Sequence, residues 1–289
     1  MLKLPPSLFI GPGRLAQALA PALLAAGWPV AGLGAREPSR AQRLAAQLGG
    51  CPVAPPQEAV AGAASGTWIW LCVPDGQLAA VAAELPWRAG QVVLHASGAT
   101  GLDVLAPARA AGAEVAGFHP LQLFAGGPAR LVGCGVGIEA SSPALIAQLQ
   151  ALAEALGMQA LVLRPETRLL YHAGANLAAS GVLAVLAVAQ RAWAQAGLPA
   201  DEALRLLAPL TQGAIEAAAE KGLPGAVSGP VARGDVGVLR AQLAALGAGA
   251  PLYALLAREQ LALARTAGRL TEAQAAAVEA VLHMGLKRD

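Results

Sequence analysis

Charge is what this sequence of 289 residues has least of: 13% of residues are charged, with a net charge of +2. Lys and Arg are scattered singly and 3% of residues are aromatic, so no electrostatic footprint and no stacking platform for nucleic acid is visible. Cysteine is equally scarce. Cys51, Cys72 and Cys134 are far apart, odd in number and form no CxxC pair. That argues against a disulfide framework and a zinc site, so no metal is expected, and it fits a reducing compartment. Met1–Leu8 has neither a long apolar region nor a small-residue cleavage site, so no signal peptide is expected and the protein is expected to be cytoplasmic. One apolar run, Ala173–Gln190, lacks any charge and approaches the length of a membrane span. It is Ala- and Gly-rich and contains Asn176, Ser180 and Gln190, which predicts a helix buried on all sides in a helical domain, with no membrane partner.

What is present is alternation. Up to about Pro165, short apolar runs (8–11, 29–33, 67–73, 91–95, 114–119, 133–139 and 159–163) alternate with Ala-rich helical stretches (14–26, 39–48, 77–84, 102–111 and 143–156). Strands alternating with helices predict an α/β, doubly wound, mainly parallel sheet over residues 1–164. Beyond that point helix follows helix (166–197, 201–221, 236–246, 251–266, 271–286), which predicts an all-α domain over 165–289.

The first strand runs into "GPGRLA", a GxGxxA pattern of Gly11, Gly13 and Ala16 that opens a helix. Gly11 permits a sharp turn, Gly13 lets a pyrophosphate approach the backbone, and Ala16 permits close helix–strand packing. The N–H groups of a helix start then face the phosphates. After a first strand this favours dinucleotide binding over a plain tight turn. No carboxylate closes the second strand to meet a ribose. Arg36, Ser39 and Arg40 stand there instead, a chemistry that suits the 2′-phosphate of NADP, although the same arginines can merely solvate a helix start and Glu37 adjoins Arg36.

Polar residues gather at three further strand ends: "CVPDGQL", "HASGATG" and "GFHPLQLF". Asp75 is expected to cap the following helix. His95 and Ser97 are either satisfied turn residues or, for Ser97 with Gly98, a support for nicotinamide or substrate. His119, with Pro120 fixing the backbone behind it, is a candidate proton donor or substrate ligand. His172 and Asn176, four apart, share one helix face as a buried pair or a ligand site, while Tyr171 points elsewhere. Asp235 suits an N-cap; Arg233 either pairs with it or binds an acidic substrate. His283 reads as an ordinary helix-surface residue.

Taken together, "FIGPGRLAQAL", "LCVPDGQL", "HASGATGLDVL", "GFHPLQLF", "YHAGAN" and "SGPVARGD", in that order, resemble a family of Rossmann-like oxidoreductases. Its C-terminal helical domain is catalogued as one of unknown function, and it is related to ketopantoate reductase, pyrroline-5-carboxylate reductase and 6-phosphogluconate dehydrogenase-like proteins. The resemblance implies an NADPH-dependent reductase of a small keto or imino acid, a homodimer built through the helical domain, and an active site in the interdomain cleft. By it, Gly11, Gly13, Arg14, Leu15 and Ala16 would hold the pyrophosphate and Arg36, Ser39 and Arg40 the 2′-phosphate. Val73, Pro74, Ser97 and Gly98 would border the nicotinamide, and His119, His172, Asn176, Arg233 and Asp235 would form the catalytic set. Related hydroxyacid dehydrogenases place a Lys four residues before an Asn on the first helix after the sheet; here His172 stands at that spacing from Asn176. Rival readings are a dehydrogenase of a prephenate- or proline-precursor-like acid, and a non-catalytic NADP-binding scaffold or sensor.

Overall fold

The computed structural model describes residues 4–124 and 131–286, so Lys3 and Lys287 lie outside it. The chain divides into two compact units, Met1–Ala179 and Ser180–Asp289.

The first unit runs β1 (Ser7–Ile10), α1 (Arg14–Ala25), β2 (Val30–Gly34), α2 (Pro38–Gln47), β3 (Val53–Ala54), α3 (Pro56–Gly62) and β4 (Trp68–Leu71). It continues α4 (Leu78–Glu84), β5 (Val92–His95), α5 (Ala106–Ala110), β6 (Glu114–Pro120), β7 (Gly135–Ala140), α6 (Pro143–Ala155), β8 (Gln159–Val162) and α7 (Arg168–Asn176). The strands form one sheet in the order β3-β2-β1-β4-β5-β6-β7-β8. Every pairing is parallel except β6 with β7, which is antiparallel. "SLFI", "WIWL" and "VVLH" are buried at every position, as continuous apolar strands covered on both faces must be. Alternate residues feed two cores. Phe9, Trp70, Leu94 and Phe118 pack on one side of the sheet, and Leu8, Ile69, Val93 and Val115 on the other. Chain order reverses between β1 and β4, and in such sheets the crevice beyond the strand ends at that point is the ligand site.

Two elements of this unit escape the sequence reading. β3 is two residues long and lies at the sheet edge among prolines, and α3 is a short helix begun by Pro56. The single helix expected over 166–197 is instead a 3₁₀ turn, then α7, then a π-helical turn at Leu177–Gly181, then α8 (Val182–Gln195). The strand–helix alternation ends near Pro165, but the compact units part between Ala179 and Ser180, because Arg168 ties α7 to the sheet.

In the second unit α8 is followed by α9 (Ala200–Ala226), which is broken at Gly222 (φ 70°, ψ 161°), next to the expected end at Lys221. Then come α10 (Pro230–Arg233), α11 (Val236–Leu246), α12 (Ala250–Thr266) and α13 (Glu272–Gly285). Leu239, Leu243, Ala254, Leu261, Val278 and Leu282 form the core among the last three helices. A capping box of Thr271 and Gln274 starts α13, and His283 on it is exposed, as expected.

The expectation that 173–190 is buried on all sides is overturned. No residue in the most apolar window of Pro165–Gln195 is buried, and Leu177, Leu183, Leu210 and Ile215 are largely exposed. Ala-rich composition and missing charge signal that an apolar face will be covered; they do not say that the same chain covers it. Pro165–Gln195 and Val236–Thr266 are both long and apolar enough to cross a membrane.

Candidate active site

β1 turns into α1 through Gly11, at φ +96°, where a Cβ would lie 2.7 Å from the Cys72 carbonyl oxygen. Any side chain there is both strained and obstructed. The Gly11 N–H is bonded to the Gly34 carbonyl at 2.9 Å, but the helix start itself carries no side-chain cap. The helix start therefore lacks the usual side-chain acceptor, and Gly11 and Gly13 before it wall a cleft of about 760 Å³ together with Arg36, Val73, Pro74 and Gln77, while Arg14, Leu15 and Ala16 do not line it. Ala16 is fully buried and Leu15 half-buried against the core, so these two offer backbone only. A long opening, a bare helix N-terminus and a cation on the rim fit a dinucleotide carrying phosphates.

Arg36 extends across the rim to Gln77 Oε1 at 2.9 Å. Glu37, the acid that adjoins it in sequence, pairs instead with Arg40 at 2.7 Å, in an exposed contact. Arg40 reaches the cleft wall and Ser39 does not. Cys72 also lines the cleft, and burial pushes its thiol up to about 12, so it is chemically inert there.

Asp75 does not cap the helix that follows it. Its Oδ2 accepts a hydrogen bond from Ser97 Oγ at 2.7 Å, which ties the residue after Pro74 to the loop after β5. Ser97 Oγ also accepts from the Thr100 N–H at 3.0 Å. The bond to Asp75 outcompetes a cap because it joins two strand ends and is charge-assisted.

Beyond Ser97 the loop has no side chain at Gly98, and two histidines close over the gap. A Cβ on Gly98 would lie 2.4 Å from His172 Nδ1 and 2.8 Å from His119 Nε2. The two rings meet edge-to-face with centroids 5.7 Å apart. His172 Nδ1 is buried and has no hydrogen-bond partner, so a polar atom facing this point would complete it. Burial, then His172 and Arg168, hold His119 down to about 4, against a partial counter-effect from Asp75.

Tyr171, on the Arg168 face of α7 and not the face of His172 and Asn176, still reaches the cluster. Its hydroxyl lies 2.9 Å from His119 Nδ1, and it enters beside Gly137, the residue paired with His119 across the β6–β7 ladder. Asn176 is exposed one turn further on. Arg233 and Asp235 belong to the second unit. There Asp235 caps α11 by accepting from the Val238 N–H at 3.1 Å, while the Arg233 side chain is exposed and makes no ion pair among the described residues.

A buried ion pair missed in the sequence holds this cluster. Arg168, 2% exposed, donates through Nε to Glu139 at 2.9 Å, and again through Nη2, while Nη1 donates to the Ser97 carbonyl at 3.1 Å. Glu139 and Gly137 share a face of β7, and they receive Arg168 and Tyr171 from one face of α7. The one signal for it was an arginine opening an otherwise apolar helix.

His95 is the second histidine under this field. Its Nδ1 accepts from the Ser97 N–H at 3.2 Å, and burial with the Arg168 charge brings it to about 4. The unfolded chain titrates near the ordinary value of about 6.5, so between these limits it binds protons that the folded chain refuses. Stability is thus fully present above pH ~6.5 and falls as pH drops towards ~4, by about 3 kcal/mol for His95 alone. Urea unfolding at stepped pH is expected to show this slope, and His95→Asn to flatten it. An undiminished slope in the variant contradicts the assignment.

A parallel sheet with a bare glycine turn at its switch point defines the class: a Rossmann-type dinucleotide fold, joined to a helical unit. Residues 7–120 match the model of a Rossmann-like domain and residues 134–260 that of DUF2520, a domain of unknown function. No curated protein matches the sequence. Among solved structures it is similar to protein TM1727 from Thermotoga maritima (22% identity, 90% of this chain and 98% of that one, TM-score 0.71). It is also similar to 1-pyrroline-5-carboxylate reductase from Streptococcus pyogenes (16%, 98% and 98%, 0.59). A reductive aminase from Aspergillus terreus, in complex with NADPH and ethyl-5-oxohexanoate, is a third (17%, 99% and 96%, 0.58). At these identities the likeness is one of fold.

Proposed function

We propose that the protein is an NADPH-dependent reductase of a small keto or imino acid. The observation that carries this reading is the convergence of His119 and His172 over Gly98, whose neighbour Ser97 bonds to Asp75, the residue after the cleft-wall residue Pro74. The names of two structural neighbours, a reductive aminase in complex with NADPH and a 1-pyrroline-5-carboxylate reductase, support it. The α1 N–H groups would hold the diphosphate and Arg36 the 2′-phosphate. When bound, the reduced nicotinamide supplies the hydride. His119 gives a proton to the oxygen or nitrogen on which charge develops, and His172 Nδ1 hydrogen-bonds the same atom.

The test is loss of reduced-nicotinamide absorbance with a panel of 2-oxo acids, ketopantoate and cyclic imino acids. Turnover of at least one is expected, and it falls in His119→Gln. Binding of NADPH without turnover of any leaves a cofactor-binding scaffold.

The same reading includes a homodimer formed through α8 and α9, whose exposed Leu183, Leu210 and Ile215 need cover. A membrane is the poorer cover for Pro165–Gln195, because its first turns carry Arg168 and Tyr171, which are packed on the sheet. Light scattering is expected to give twice the 28.8 kDa of one chain. The thiols of Cys51, Cys72 and Cys134 fit the reducing cytoplasm.

A further inference from the structure

We infer that Tyr171 is a proton relay behind His119: the phenol refills imidazole Nδ1 as Nε2 gives its proton, over Gly98, to the reacting atom of the substrate. The direction of proton flow rests on the reductase reading; the arrangement of groups does not.

The phenol carries one proton and lies 2.9 Å from Nδ1, with the His119 carbonyl further off at 3.4 Å. If the phenol donates to Nδ1, the single proton of the neutral imidazole belongs on Nε2. Nε2 is the ring nitrogen that packs over Gly98. His172 has no such support, since its Nδ1 is unpartnered; it can hold a ligand atom but has nothing behind it to refill it.

The strand opposite is shaped for this contact. Gly137 pairs with His119 in the ladder, and a Cβ there would lie 2.6 Å from the Tyr171 oxygen and 2.8 Å from Leu163 Cδ1. Only a bare position admits the ring. The facing groups offset only part of what a phenolate costs here. Burial raises the Tyr171 pKa above its ordinary value, while the Gly137 backbone and the Arg168 guanidinium act in the opposite direction. Near neutral pH burial, with His172 and Arg168, keeps His119 uncharged, so an imidazole that spends its Nε2 proton needs a second source.

The step balances. The Nε2–H bond breaks as the substrate O–H or N–H bond forms, Nδ1–H forms as the phenol O–H breaks, and the phenolate of half-exposed Tyr171 takes a proton from water. Nε2 then takes a proton from water while Nδ1 returns its own through the phenol oxygen to the hydroxide left behind, which restores the start.

The first test needs neither cofactor nor substrate: nitrogen-15 NMR of histidine-labelled protein, with the His119 signals assigned from His119→Gln. The wild-type protein is expected to hold His119 as the Nε2–H tautomer at pH 7.5, and Tyr171→Phe to release a share of the Nδ1–H form. A wild-type Nδ1–H tautomer means that the imidazole donates to the phenol, and it overturns the relay whether or not the reductase reading survives. In turnover, Tyr171→Phe is expected to lower kcat ~10²-fold at pH 7.5 with KM and NADPH affinity unchanged. The deficit shrinks towards pH 4–5, where an imidazolium replaces the relay. Full kcat with an unaltered pH profile in the variant also overturns it. Should Tyr171→Phe not fold, the wild-type tautomer decides alone.

Discussion

Gly98→Ala is expected to leave the protein folded and able to bind NADPH, yet to lose turnover by roughly 10²–10⁴-fold, the usual contribution of a positioned general acid. The added methyl would occupy the point 2.4 Å from His172 Nδ1 and 2.7–2.8 Å from the His119 ring. Contacts that short cannot persist, and what yields is the pair of side-chain rings. Gly98 is not at positive φ, so the backbone takes the alanine without strain and the cost falls on geometry. A misplacement of about 1 Å at a reacting group is enough to cost ~10²-fold. Thermal unfolding should move little. Retention of full turnover would remove both histidines from the reaction centre.

Arg168→Met is expected to be the most destabilising single change in the first unit. It leaves Glu139 buried at 7% exposure without its cation, and removal of one partner from such a pair costs about 3–5 kcal/mol. For a chain of this size that corresponds to a fall of roughly 10 °C in the unfolding midpoint. The Ser97 carbonyl loses its donor at the same time, so the Gly98 loop loosens and catalysis falls along with stability. Arg168→Met combined with Glu139→Leu should recover much of the stability, because no uncompensated charge remains, but not the activity. A single variant that melts at the wild-type temperature contradicts a buried ion pair here.

The parts of this protein that were legible in its sequence are those encoded locally. The α/β class, the glycine turn and the histidines at strand ends follow from apolar periodicity and from where polar residues interrupt it. β3 was invisible because two residues among prolines carry no period. The ion pair of Arg168 and Glu139 spans 29 residues, and it requires the antiparallel pairing of β7 on β6, a reversal that no local pattern announces. The reach of Tyr171 was missed for the same reason: its partner is defined by the ladder that sets Gly137 opposite His119. Asp75 looked like a cap because Asp before a helix commonly is one; the bond to Ser97 exists only once β4 and β5 lie side by side. The exposed face of α8 and α9 has the composition of a core, and composition alone cannot say which chain supplies the cover.

The central claim is that the uncapped N–H groups opening α1 receive the diphosphate of NADPH, with Arg36 at its extra phosphate. Titration calorimetry of the purified protein with NADPH and with NADH tests it most directly. One saturating site per chain is expected, with NADPH tighter by ~10-fold or more, as a charge-assisted hydrogen bond provides. No heat of association with either nucleotide would contradict the account.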